Sequence, residues 1–246
     1  MHYDYKVNKM AERIVYLIKN ADYVFVTHDY LANKVKRFNN KVAVVPNAID
    51  PEQPQFKTES IQVDKPIFGW CGGVHHQSDL ELMTESLQMA RENNLNLALG
   101  GYNKSVVWNN FETIFSGGDY KNYVRIEGQD VYNYGKIYDY FTTCLIPLRN
   151  NEFNKCKSEL KMIEAGFKKK AVIVSDVHPY TNLITNDNCL KVDEARKTNG
   201  WYKAMKRINE SKDLEEHLAN SLFESVSIKH NIKTVNKVRE EVFNSL

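Results

Sequence analysis

The sequence of 246 residues is poor in several features that would assign it to a familiar class. The four cysteines are far apart and form no C-x-x-C pair, which excludes a disulfide framework and a cysteine-based zinc site. No apolar run reaches the ~20 residues of a membrane-spanning helix, and the first residues are polar and aromatic. These absences predict a cytoplasmic chain with no transmembrane segment.

An excess of charge of one sign is also missing. Lysine and arginine total 33 against 31 for aspartate and glutamate, which gives a net charge of +2. This balance provides no general attraction to nucleic acid or to an anionic membrane, so we expect no nucleic-acid partner and only a local anion site. A dinucleotide fingerprint is absent after every strand-like run, which disfavours a nicotinamide-dependent dehydrogenase.

The sequence does contain a regular alternation of strand-like and helix-like segments from residue 66 onward. Such βαβ alternation predicts an α/β fold, a Rossmann-like parallel sheet with helices on both faces, with ligands bound beyond the carboxyl ends of the strands. The predicted parallel strands are 67–71, 96–100, 123–126, 143–147 and 171–175.

The remaining segments predict the domain organisation. Residues 1–45 form a helix-strand-helix-strand fragment, and the proline-containing segment 47–66 has little apolar periodicity and is a predicted loop. Two strands cannot enclose a core, so this short N-terminal α/β remnant is expected to pack on the main domain or on another chain. The predicted domains are the N-terminal segment 1–45, a Rossmann-like domain 46–230 and a C-terminal helix 231–246.

The first candidate motif follows the strand-like run 67–71. Gly72 and Gly73 end that run, and a helix is predicted to start near Ser78. Glycines at such a position let backbone N–H groups approach a phosphate, although a tight turn between strand and helix would need them equally. His75 and His76 are adjacent, so their side chains point in different directions and a shared metal is not expected.

The second motif spans residues 146–166, where a strand ends, a polar loop follows and a helix is predicted from about Lys157. The N–H groups of a helix start near Ser158, together with the charge of Lys157, would suit a diphosphate. Glu164 would lie ~10 Å further along the same helical face, about the span from diphosphate to ribose. The alternative is an exposed, ion-paired stripe of Lys157, Lys161 and Glu164.

A third feature, the lysine run at 168–170, is the one compact charge cluster of the sequence. Its composition predicts a solvated surface turn rather than a binding site.

These motifs resemble the C-terminal, donor-binding domain of family-four (group one) GT-B glycosyltransferases. The similarity runs through ADYVFVTHDYLANKV and VVPNAID to GWCGGVHHQSDL, which is similar to the family's G-W-x-G-G-x-x-H-x-x-D-L variant. It is clearest in NEFNKCKSELKMIE, similar to N-x-F-N-x-x-K-S-x-L-K-x-x-E. The matching residues are Gly72, Gly73, His76, Asp79, Asn151, Phe153, Asn154, Lys157, Ser158, Leu160, Lys161 and Glu164.

The resemblance implies that residues 1–45 are the remnant of an N-terminal, acceptor-side GT-B domain and that 46–230 form the nucleotide-sugar-binding domain. It also implies roles for individual residues. Glu164 would hold the nucleotide ribose, the helix end at Lys157 and Ser158 would hold the diphosphate, and the loop 151–154 would approach the sugar. No D-x-D pair occurs, so neither a metal ion nor another cofactor is expected. The candidate catalytic residue is Lys157, and the candidate substrate-binding residues are Gly72, Gly73, His76, Arg149, Asn151, Phe153, Asn154, Ser158 and Glu164.

The sequence also departs from the common pattern of that family. Cys156 stands where a glutamate is usual, no arginine follows Gly69, and only residues 1–45 precede the VVPNAID segment in place of a whole domain. The resemblance therefore implies a transferase that moves a sugar from a nucleoside-diphosphate sugar to an acceptor (glycan, lipid or protein) with help from an acceptor-domain protein or a homo-oligomer. The alternative is a non-catalytic nucleotide-sugar-binding or scaffold subunit.

Overall fold

The computed structural model describes residues 8–57, 61, 63–193 and 199–245, which form two compact units. The larger unit is Ala48–Ile232, and the smaller one joins the chain up to Asn47 with the chain from Lys233 onward. The helices of the described residues are α1 (Met10–Asn20), α2 (Asp29–Val35), α3 (Gln77–Leu80), α4 (Thr84–Glu92), α5 (Val106–Ser116), α6 (Leu160–Phe167), α7 (Gly200–Asn209), α8 (Lys212–Lys229) and α9 (Ile232–Asn244). The strands are β1 (Val24–Val26), β2 (Val42–Val44), β3 (Ile67–Cys71), β4 (Asn96–Tyr102), β5 (Tyr123–Glu127), β6 (Thr143–Ile146), β7 (Ala171–Ser175) and β8 (Leu190–Val192).

The smaller unit has the predicted helix-strand-helix-strand order. β1 and β2 pair in parallel, and Val26, Ala32 and Val35 form its small core. Helix α2 begins where the His28 ring accepts a hydrogen bond from the Leu31 amide at 3.2 Å, which satisfies one of the free N–H groups of the first turn. The predicted short N-terminal α/β segment is therefore confirmed, with its two strands paired in parallel.

The larger unit is built on one parallel sheet with the strand order β5-β4-β3-β6-β7-β8. All five predicted strands are present and parallel, which confirms the predicted fold class. Strand β8 was not predicted, because three residues are too few to show an alternating pattern. The chain runs from β3 outward to β5 and then returns to place β6 on the other side of β3.

Alternate residues of the strands face two separate apolar layers. In β7, Ile173 packs in one layer, while Val172 and Val174 pack in the other. Because helices cover both faces, these strands are apolar at nearly every position. Met205 of α7 packs in the first layer and Leu222 of α8 in the second, which confirms that these late helices pack on the sheet. Helix α9 instead groups with the smaller unit from Lys233 onward.

The lysine run at 168–170 corrects one prediction. Lys168 is 0% exposed, with its ammonium 2.6 Å from the Asp139 carboxylate and 2.8 Å from the Lys57 carbonyl oxygen, and Lys170 is also buried. Only Lys169 is exposed. The run leads directly into the buried strand β7, so the side chains of Lys168 and Lys170 are enclosed by the protein. Such buried ammonium groups need hydrogen-bond acceptors or carboxylates inside the fold. The prediction of a solvated turn was wrong for both.

Within the described residues, no helix combines the length and the apolar character needed to cross a membrane.

Candidate functional site

The crevice between the carboxyl ends of β3 and β6 is the point where the strand order reverses. Ligands of open parallel sheets bind at such a point, because the loops that follow the two strands diverge there. Residues 72–79 follow β3, and residues 147–159 follow β6. Every candidate site residue except Glu164 lies in one of these two loops.

The loop after β6 differs from its predicted form. Helix α6 begins at Leu160, three residues later than expected, and Lys157 has an extended backbone. The side chain of Asn151 accepts the Asn154 amide at 2.8 Å, and the Asn154 carbonyl accepts the Lys157 amide at 3.0 Å. These bonds hold the segment in a tight turn outside the helix. The prediction that Lys157 and Ser158 start the helix, on the face of Glu164, was therefore wrong.

Asp79 joins the two loops through one buried carboxylate, which is 1% exposed. Its Oδ1 accepts hydrogen bonds from the Arg149 backbone amide at 2.9 Å and from the Asn154 side-chain amide at 3.2 Å. Its Oδ2 lies 2.9 Å from His76 Nδ1 and 3.6 Å from the Lys157 ammonium. Burial alone raises the pKa of Asp79, but the bonds from His76 and Arg149 and the Lys157 charge outweigh it and hold the pKa below its ordinary value.

The candidate residues near the rim of the crevice have different environments. The Lys157 ammonium lies 5.6 Å from the ring centre of Phe153, whose side chain is largely exposed together with Asn151. The Arg149 guanidinium donates to the Ser78 carbonyl oxygen at 2.6 Å, so it is turned toward the loop after β3. A Cβ placed on Gly73 would meet no atom within 4 Å, so this residue borders open space.

Lys161 is a site residue that the candidate set lacked. Its ammonium donates to the Cys71 carbonyl oxygen at 2.6 Å and lies 4.6 Å from the centre of the Trp70 ring. A Cβ on Gly72 would lie 2.5 Å from the same nitrogen, so glycine there makes room for the ammonium. Burial lowers the pKa of Lys161. The lysine places a positive charge directly at the carboxyl end of β3.

Glu164 is buried on α6, with 6% of its surface exposed. Tyr134 donates to its Oε1 at 3.0 Å and Tyr138 donates to its Oε2 at 2.8 Å. Burial raises the pKa of Glu164, against the opposing effects of the two tyrosine hydrogen bonds and of Lys161. The alternative of an exposed ion-paired stripe is therefore wrong. The two tyrosines lie four positions apart in the 3-10 helix Tyr134–Tyr140, and this spacing was the sequence signal that could have identified them as a pair.

Comparison with known proteins identifies the fold in which this crevice lies. No protein-family model matches the chain, and no curated protein matches it. Among solved structures, a sucrose-phosphate synthase from Thermosynechococcus elongatus is 16% identical with a TM-score of 0.72, over 99% of this chain and 66% of that one. TarM of S. aureus is 14% identical with a TM-score of 0.72, over 96% of this chain and 46% of that one. HepE of Anabaena, in complex with UDP-glucose, is 10% identical with a TM-score of 0.76, over 98% of this chain and 68% of that one.

The fold is that of the GT-B glycosyltransferases. The chain spans 66% of the length of the synthase and 46% of the length of TarM. The crevice described above lies wholly in the larger unit of this GT-B chain.

The GT-B crevice has two groups of polar side chains. One is centred on Asp79 and holds His76, Asn154 and Lys157, and the other comprises Lys161 and the Glu164 carboxylate with its tyrosines. Among the described residues, no three His, Cys, Asp or Glu side chains are grouped as metal ligands. The crevice therefore contains two lysine ammonium groups, a side-chain amide and two carboxylates, of which Asp79 is bonded to its neighbours in the two loops.

Proposed function

We propose that the chain is the donor-binding part of a family-four glycosyltransferase that moves a sugar from a nucleoside-diphosphate sugar to an acceptor. The observation that carries this proposal is the position of Lys161 and Glu164 at the strand-order reversal of a GT-B fold. HepE of this fold is in complex with UDP-glucose, and Starch Synthase IV from Arabidopsis thaliana is bound to ADP and acarbose. Both complexes support a nucleotide ligand for the present crevice.

Glu164 would hold the ribose of the donor. A carboxylate accepts at about four lone-pair positions, and Tyr134 and Tyr138 use one on each oxygen. The remaining positions can accept from two ribose hydroxyl groups. The tyrosine bonds also fix the carboxylate in one orientation, which lowers the entropy lost when a ligand binds.

Lys157 and Lys161 would neutralise the charge of the diphosphate, and the backbone N–H groups near Gly72 and Gly73 would donate hydrogen bonds to it. In the reaction, negative charge grows on the diphosphate as the bond to the sugar breaks, so cations already in place stabilise the transition state more than the bound donor. We propose Lys157 as the catalytic group, because Phe153 and the polar loop 151–154 lie beside it and would face the sugar. Arg149, Asn154 and Ser158 belong to the same loop. This arrangement needs no metal ion.

The acceptor side would come from residues outside this chain, supplied by an acceptor-domain protein or by a second copy. A non-catalytic subunit that binds a nucleotide sugar or acts as a scaffold stays the alternative. The cytoplasm stays the predicted compartment, which suits the four free cysteines.

The proposal is tested by titrating the purified chain with UDP-, GDP- and ADP-sugars and measuring affinity by calorimetry. We expect the chain to bind the sugar nucleotides of one base and not those of the other two. Lys161→Met should weaken that binding at least tenfold (~1.4 kcal/mol or more), because the diphosphate would lose a nearby cation. Lys155→Met is the matched control, since its ammonium pairs with Glu152 at 3.1 Å in the same loop. No binding of any sugar nucleotide would leave only the scaffold function.

A further inference from the structure

Asp79 places a buried negative charge beside the position proposed for the diphosphate. Of its four contacts, the Arg149 backbone amide and the Asn154 side chain are neutral, and the Lys157 ammonium lies 3.6 Å away. The charge of Lys157 is thus largely balanced by Asp79 before any ligand binds. A diphosphate that approaches Lys157 also approaches this carboxylate, and two anions in a partly buried crevice repel each other.

His76 is the neighbouring group that can change its charge. Its Nδ1 lies 2.9 Å from Asp79 Oδ2, so an Nδ1–H donates to the carboxylate and Nε2 is left as the proton acceptor of the neutral ring. The ring packs edge-on against Trp70, with centroids 6.0 Å apart. The Lys161 ammonium also lies against this indole ring, 4.6 Å from its centre.

Four influences act on the charge of His76. Burial and the positive charges of Lys161 on α6 and Lys157 in the loop after β6 favour the neutral ring, whereas Asp79 on α3 favours the charged ring. Burial is the largest, and the pKa of His76 in the free protein lies below its ordinary value of 6.5. A bound dianion would offset the two lysine charges and add its own attraction, so the balance would move toward the charged ring.

We infer that Asp79 and His76 form a proton-accepting pair of the donor site, in which His76 is neutral in the free protein and takes up a proton when the diphosphate binds. The proton comes from solvent and is held on Nε2, while Nδ1–H stays bonded to Asp79. The imidazolium then separates the buried carboxylate from the diphosphate. Asp79 acts as a positioning residue through His76. This inference rests on the proposed function.

The pair is tested by counting protons during calorimetric titration with whichever of UDP-glucose, GDP-mannose or ADP-glucose binds. Each phosphate of these probes carries one ester bond and the shared anhydride bond, so neither titrates near neutrality and any proton taken up belongs to the protein. Titration at about pH 7.5 in two buffers of different ionisation enthalpy gives the number of protons. We expect the natural chain to take up a large fraction of one proton, and His76→Gln to take up almost none.

His75→Gln is the matched control, since His75 is the adjacent, exposed histidine of the same loop. It should keep the uptake of the natural chain. Asp79→Asn should also lose the uptake, because the amide does not stabilise an imidazolium, and thermal unfolding shows whether each variant is folded. Binding in which the natural chain and His76→Gln take up equal numbers of protons would overturn the inference alone. Failure of all three probes to bind would overturn the proposed function and the inference with it.

Discussion

Glu164 and Lys161 are separated by three positions on one helix, yet their environments differ from those of an exposed helical pair. The carboxylate is held by two tyrosine hydroxyl groups and the ammonium by a main-chain oxygen at the end of a strand. Each polar group therefore has its own internal partner. Replacing Glu164 by an apolar residue would leave the two tyrosine hydroxyl groups without this acceptor, at a cost of ~1–3 kcal/mol for each group left buried and unpaired.

The buried carboxylate of Glu164 predicts a pH-dependent contribution to stability. Because burial raises its pKa above the ordinary 4.5, the folded protein binds this proton over a range in which the unfolded chain has released it. Stability due to Glu164 therefore falls as the pH rises from about 4.5 through the folded-state pKa.

Glu164→Gln removes this titration while keeping an acceptor and a donor for the tyrosines. We expect the unfolding free energy of the natural chain, measured with urea, to exceed that of the variant by the largest amount at acid pH. The excess should decrease as the pH rises. The opposite contribution of Asp79 is present in both proteins and cancels in this difference. A difference that grew with pH would show that the pKa of Glu164 is lowered.

Two short segments, the turn after β3 and the loop before α6, decide the geometry of the crevice. The turn is narrow, because the Trp70 ring and the Lys161 ammonium lie 2.6 and 2.5 Å from where a Gly72 Cβ would stand. Trp70 is almost fully buried and packs on Trp108 and Phe111, so its ring has little room to move. The loop is fixed by side-chain amides of Asn151 and Asn154 rather than by helical hydrogen bonds.

Gly72→Ala should therefore destabilise the fold by ~1–3 kcal/mol through overpacking against Trp70. Gly73→Ala is the stability control, since nothing lies within 4 Å of its added methyl group and its backbone is already extended. Thermal unfolding of the two variants measures the comparison. Equal melting temperatures would mean that the Trp70 and Lys161 side chains move aside without loss of stability. Their close contact with Gly72 would then not be what fixes the turn.

The chain folds as two units of very different size, and the smaller one keeps much apolar surface exposed. In α1, Tyr16 and Leu17 are each 67% exposed, and no residue of this amphipathic helix is buried. A small two-stranded unit gains little stability from so thin a core. The proposed acceptor-side partner or second copy would cover such a surface.

Activity of the lone chain follows from the same organisation. Transfer needs an acceptor next to the donor, and we propose that the acceptor side lies outside this chain, so the purified chain should release nucleoside diphosphate only slowly from a donor it binds. Release should rise when an acceptor-domain protein is added, and Lys157→Ala should abolish the rise. Rapid transfer to a defined acceptor by the chain alone, with light scattering showing a monomer, would refute the need for a partner.

The sequence by itself determined the parallel sheet and the loops in which most candidate residues lie. Apolar runs of strand length, separated by helical periodicity, predicted five strands and placed the polar segments after 67–71 and 143–147 at their carboxyl ends. These features depend on residues close in sequence. The short N-terminal α/β segment and the helices packed on the sheet were predictable for the same reason.

Only the tertiary structure decided which side chains meet. Asp79 bonds the Arg149 amide across 70 positions, and Lys161 bonds Cys71 across 90. Such partners are brought together by strand order, which periodicity does not encode. The burial of Lys168 has the same origin, because its partners Asp139 and the Lys57 carbonyl oxygen are distant in sequence. The later start of α6 has a local cause, since hydrogen bonds within the preceding loop override the helical pattern.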